Sequence, residues 1–122
     1  MAVRYFVSNV ESSIVFYRDR LGFDVIEQWG PAFAIVQKGD QTLWLSGPGT
    51  SASRPMLDGS EPGPGGWNRI VVEVEDIESL AAHLQGLGTV FRGGIIGGPG
   101  GQQVLIEDGD GNPIELFENR DS

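Results

Sequence analysis

The sequence predicts an α+β protein built from two packed βαβββ modules. Three observations carry that expectation. A strand-end, cap and helix pattern occurs twice along the chain. Three strand-like segments follow each helix. Glycine is abundant, with 19 in 122 residues, which suits a turn-rich protein better than a helical bundle.

The segment VSNVESSIVFYRDRLGF at residues 7–23 aligns with VEDIESLAAHLQGLGTV at 74–90. Asn9 and Asp76 are N-cap residues, because their side-chain oxygens can accept a hydrogen bond from the first helical turn. Val10, Ile14, Tyr17 and Leu21 make one apolar helical stripe, and Ile77, Leu80, Leu84 and Leu87 make the other. Gly22 and Gly88 suit the helix ends. The strands after the first helix are FDVIEQW, FAIVQKG and TLWLSG; those after the second are TVFRGGI, QQVLIEDGDG and PIELFEN. KGDQT and DGDGNP form the turn before each last strand.

Between the two patterns lies GPGTSASRPMLDGSEPGPGG, whose Gly, Pro and Ser content marks a linker. The expected organisation is one domain over residues 1–122, with module one at about 1–48, a linker at about 49–66 and module two at about 67–119.

Alternation along the first and last strand of each module sorts side chains onto two faces. Val3, Tyr5, Val7, Leu43, Leu45, Ile70, Val72, Val74, Ile114 and Leu116 form an apolar set expected under the helices. The opposite set holds Ala2, Arg4, Phe6, Trp44, Ser46, Arg69, Val71, Glu73, Glu115 and Phe117. Such a mixture of aromatic and charged residues suits the wall of a partly wet cavity. Glu115, a carboxylate within an apolar run, must then face water, a metal ion, a cationic partner or a ligand. Of the three tryptophans, Trp44 is on this face, and Trp67 can reach it two residues before Arg69. Flat indoles stack on aromatic or cationic groups.

Composition excludes several functions. The absence of cysteine removes a disulfide framework, a thiolate nucleophile and a cysteine zinc site. The net charge of −9 disfavours a nucleic-acid partner, which needs clustered Lys and Arg. No apolar run approaches a membrane span and no signal-peptide pattern is present, so no membrane partner and a cytoplasmic location are expected. The glycine-dense GGIIGGPGGQQ lacks the context and ending of a phosphate-binding loop. No nucleophile–histidine–acid arrangement is legible, and the sole histidine, His83, falls in the second helix.

With its paired modules and the motifs SNVESSIVFYRDRLGF, GWNRIVVEVEDIESL and IEDGDGNPIELFE, the chain resembles the vicinal oxygen chelate superfamily, also called the glyoxalase/bleomycin-resistance/dioxygenase group. The resemblance covers nearly the whole chain. It implies a homodimer in which strands curl around clefts built from both chains. In metal-dependent members, one side chain from the first and one from the last strand of each module bind a divalent ion. Carried over, those positions fall on Ala2, Trp44, Arg69 and Glu115, of which only Glu115 is a metal ligand by chemistry. The expectation is therefore no metal and no cofactor, with Arg69 pairing Glu115 where the ion's charge would be. Whether that pair only locks the sheet or also touches ligand stays open.

The function expected is a metal-independent small-molecule-binding protein of the bleomycin-resistance type, holding an aromatic or cationic compound such as an antibiotic. The ligand-binding residues would be Phe6, Trp44, Trp67, Arg69, Glu115 and Phe117. Two alternatives stand beside it. One is a lyase, isomerase or dioxygenase of the same superfamily with Arg69 and Glu115 as catalytic residues. The other is a partner-binding module with a vestigial cleft.

Overall fold

The structure, a computed structural model, describes residues 1–119. The last three residues of the expected domain, 120–122, lie outside them. The described chain is α+β, with two compact units divided between Gly65 and Gly66.

In the first unit, strand β1 (Ala2–Phe6) leads into helix α1 (Val10–Val15), and then β2 (Asp24–Trp29), β3 (Phe33–Lys38) and β4 (Gln41–Ser46) follow. The sheet order is β1-β4-β3-β2, with β1 parallel to β4 and the other pairs antiparallel. Asn9 caps α1: its Oδ1 accepts from the Ser12 N–H at 2.9 Å. The helix then widens into a π-helical turn over Phe16–Arg20. Gly22 closes it at φ +78, a conformation that costs little only without a Cβ. The expected stripe of Val10, Ile14, Tyr17 and Leu21 is buried, as are Ala34, Val36, Leu43 and Leu45 of β3 and β4, the strands that α1 contacts. Tyr17 makes edge-to-face contacts with Phe16 and Phe23 at 5.3 and 5.6 Å. Val3 departs from the expected core and is 37% exposed. It sits on an edge strand, whereas α1 lies over β3 and β4. The segment from Gly47 to Gly65 carries no strand and one 3₁₀ turn, Ser51–Ser53.

The second unit runs β5 (Ile70–Glu73), α2 (Ile77–Gly86), β6 (Val90–Phe91), β7 (Ile96–Gly98), β8 (Gly101–Glu107) and β9 (Pro113–Asn119). Its order is β5-β9-β8-β6, with β7 also on β8 and β5 parallel to β9. The start of α2 is held twice. Asp76 accepts from the Ser79 N–H at 3.1 Å, and Glu118 of β9 accepts from the Ile77 N–H at 2.9 Å. Ile77, Ala81 and Leu84 are its buried residues, while Leu87 is 43% exposed. Leu87 is the C-cap, where the chain leaves the helical path, and Ala81 is buried between Ile77 and Leu84 while Leu80 of the expected stripe is half-buried. Val74 lies just past β5 and is half-buried.

The expected single strand TVFRGGI is instead two short ones. β6 and β7 both pair with β8 and flank Arg92–Ile95. The Gly93-Gly94 pair relaxes the strand preference, and Arg92 turns its guanidinium to Glu107. Asp108 organises the β8–β9 turn, accepting from the backbone N–H of Asp110 and Asn112 and from Asn112 Nδ2, each at 2.9 Å. No helix among the described residues is long and apolar enough to cross a membrane.

Candidate functional site

Strand register places the candidate residues in rows across each sheet. In the first unit Arg4 stands opposite Trp44, Trp44 opposite Ile35, and Ile35 opposite Glu27. Two residues along, Phe6 faces Ser46, Ser46 faces Phe33, and Phe33 faces Trp29. Period-two alternation puts both rows on one face, away from the buried Leu43 and Leu45. There a cavity of about 460 Å³ is lined by Arg4, Glu27, Trp29, Phe33, Ile35 and Trp44, among others. Its aromatics form a chain, Trp29 to Phe33 at 5.9 Å and Phe33 to Trp44 at 6.0 Å. The Arg4 guanidinium lies 5.0 Å from the centre of the Trp44 ring and donates to Ser46 Oγ at 2.9 Å. Phe6 lines a separate hollow of about 350 Å³, beside Ser46, Pro48 and Pro62.

The second unit repeats the rows with different chemistry. Val71 is opposite Glu115, Glu115 opposite Leu105, and the Arg92 N–H donates to the Leu105 carbonyl. Arg69, one residue before β5, turns onto Glu115: its Nε and Nη2 both donate to Oε1, at 3.1 and 2.8 Å. The geometry is therefore one-sided rather than a two-oxygen fork, and both residues line a cavity of about 230 Å³ with Trp67, Arg92, Gln103 and Leu105, among others. With the Glu115 side chain 12% exposed and Arg69 30%, the pair is partly shielded from water. Arg92, which the sequence did not single out, is the hub of this cavity. It pairs with Glu107 at 2.7 Å, donates to the Gly66 and Gly111 carbonyls, and stacks 4.7 Å from the Trp67 ring centre. Arg92 bonds opposite Leu105, the place in its row that Glu27 holds opposite Ile35 in the first unit.

Of the six expected ligand residues, Trp67, Arg69 and Glu115 thus line one cavity, Trp44 another and Phe6 a third. Phe117 shares the Glu115 face, half-buried, but lines none of the three. His83 is exposed on α2.

Arg4 and Val71 hold equivalent register positions opposite Trp44 and Glu115, so Ala2 and Arg69, each two residues earlier, are equivalent as well. The four positions at which the resemblance puts metal ligands therefore carry a methyl, an indole, a guanidinium and one carboxylate already held by that guanidinium. This donor set does not fit a divalent ion: neither alanine nor the indole offers it a lone pair, and arginine repels it.

A family model for the Glyoxalase/Bleomycin resistance protein/Dioxygenase superfamily matches residues 2–116. Among solved structures, similarity extends over 97% of this chain and 93% of TnmS3, an antibiotic binding protein from Streptomyces sp. CB03234, at 26% identity and a TM-score of 0.73. A superfamily member from Sphaerobacter thermophilus is also 26% identical, with a TM-score of 0.77, over 97% of this chain and 94% of that one. Lactoylglutathione lyase from Agrobacterium tumefaciens shares the fold at 21% identity and a TM-score of 0.76, over 97% and 91% of the two chains. No curated protein matches the sequence.

Proposed function

The chain belongs to the glyoxalase/bleomycin resistance protein/dioxygenase superfamily, and from that membership we propose that it is a metal-independent small-molecule-binding protein that sequesters an aromatic or cationic compound, antibiotics being the first class to test. The observation that carries the reading is the occupant of the metal-ligand positions: Ala2, Trp44, Arg69 and Glu115, with Glu115 engaged by Arg69 at 2.8 Å. A guanidinium replaces the charge that an ion would bring, and no Lewis acid is left to polarise a substrate at those positions. The row of aromatics on the first sheet supplies stacking surface. The similarity to an antibiotic binding protein at 26% identity supports the same class of function. A homodimer and a cytoplasmic location complete the proposal.

The test is a fluorescence screen of planar aromatic antibiotics, followed by Trp44→Ala on any that quench saturably. Loss of the indole should weaken binding by about 1–3 kcal/mol, roughly fivefold to 150-fold. Ligand recovered after denaturation should have its original mass. Product formed beyond one equivalent per chain and abolished by Glu115→Gln would establish instead an enzyme in which Arg69 polarises a carbonyl and Glu115 moves a proton.

A further inference from the structure

The cavity on the first sheet has charge at both ends and none in the middle. The row Arg4–Trp44–Ile35–Glu27 crosses all four strands, with the cation on edge strand β1 and the anion on edge strand β2. Three inter-strand steps set the two Cα atoms about 14 Å apart. Arg4 and Glu27 form no ion pair with each other or with any other described residue. Arg4 is fixed in place by Trp44 and by one bond from Nη1 to Ser46, while Nε and Nη2 donate to no described residue. Glu27 accepts from none. Between them lies a shelf of Trp44 and Ile35, flanked by Phe33 and Trp29.

The equivalent row of the second sheet makes the contrast plain. There the charges are Glu115 and Arg92, and both are satisfied from within the unit, by Arg69 and Glu107. Among the described residues, only the first sheet presents two opposite, unmatched charges to a cavity. An uncompensated guanidinium beside aromatic surface recognises an oxyanion through charge-assisted bonds, and a carboxylate recognises an ammonium.

We propose that this face binds a planar aromatic compound that is itself dipolar, with an oxyanion toward Arg4, a protonated amine toward Glu27 and its ring system on the Trp44–Ile35 shelf. The assignment rests on the binding reading above and names the ligand class. It changes the expectation from an aromatic or cationic ligand to a zwitterionic one, because a plain cation leaves Arg4 unmatched and a plain anion leaves Glu27 unmatched.

Four probes with one ring system test it on the full chain: 4′-(aminomethyl)biphenyl-4-carboxylate, biphenyl-4-carboxylate, biphenyl-4-methylamine and unsubstituted biphenyl. Titration calorimetry gives affinity, and the indole N–H signals in nuclear magnetic resonance report where each binds. The zwitterion should bind at least tenfold more tightly than either singly charged probe and shift the Trp44 signal. Arg4→Met should abolish its advantage over the amine, and Glu27→Gln its advantage over the carboxylate. Glu27→Gln is on an exposed strand and keeps the side-chain shape, so its effect is not confounded by misfolding. Equal affinities for all four probes, unchanged in both variants, overturn the dipolar assignment and leave the aromatic-binding proposal standing. Failure of all four to bind overturns the assignment as well, and the antibiotic screen then decides the broader proposal by itself. Protection of Trp44 by self-association, with no probe binding, overturns it in favour of a second copy as the occupant of this face.

Discussion

Glu115 carries a negative charge in the middle of an apolar strand because Arg69 crosses from the neighbouring strand to meet it. Leaving either partner alone in a partly shielded site exposes an uncompensated charge, which costs more than the net contribution of the intact pair. Glu115→Gln and Arg69→Met should each destabilise the fold by about 1–2 kcal/mol in urea unfolding, and the double variant should recover part of the sum. Strictly additive losses would mean that the pair contributes no coupling. Arg92→Met should be costlier than Arg69→Met, because it releases Glu107, two backbone carbonyls and the stacked Trp67 together; the order of the two unfolding midpoints decides this. Alternation and the internal repeat placed Arg69 and Glu115 on one face, and the resemblance to the superfamily's metal-ligand positions suggested that they pair. Arg92 was not legible in that way, since it follows a two-residue strand and points where the glycines after it allow, not where a continuing strand would send it.

At the scale of elements, both helices begin as their sequences indicate, with Asn9 and Asp76 accepting from the third residue onward. The hydrogen bond from the Ser79 N–H, foremost, holds the Asp76 carboxyl below the usual aspartate range. A depressed folded-state value means that the ionised cap stabilises the fold above the unfolded-state value and that this contribution is lost as pH falls through the folded one. Asp76→Asn keeps an acceptor without the charge, so its stability deficit should be largest near neutrality and shrink below about pH 4. Urea midpoints at the two pH values measure it; a deficit that does not change with pH contradicts the cap's ionic role. Gly47, just after β4, has a different reason to be small: a Cβ there would lie 3.0 Å from the Val10 side chain and 3.2 Å from the Ala32 carbonyl oxygen. Gly47→Ala should therefore push the Val10 side chain and the Ala32 backbone aside by a few tenths of an ångström and cost about 1 kcal/mol, measured by thermal or urea unfolding. The π-helical turn after α1 and the division of TVFRGGI into two strands escaped the sequence reading, because hydrophobic period marks which residues are buried, not how tightly the backbone winds between them.

At the scale of the whole molecule, the duplicated module explains both the fold and the change of chemistry within it. Each βαβββ unit brings its first and last strands side by side in parallel, so whatever stands at those strand positions faces the same way. In this chain the positions hold an aromatic and a methyl in one unit and an ion pair in the other. Static light scattering at micromolar concentration should give twice the mass of the 13.1 kDa chain, and a monomeric value would reject the dimer. Metal content tests the replaced ligand positions. The protein, equilibrated with zinc, nickel, manganese and iron, dialysed and subjected to elemental analysis, should retain far less than one equivalent of any of them. One equivalent per chain, lost on Glu115→Gln, would contradict it.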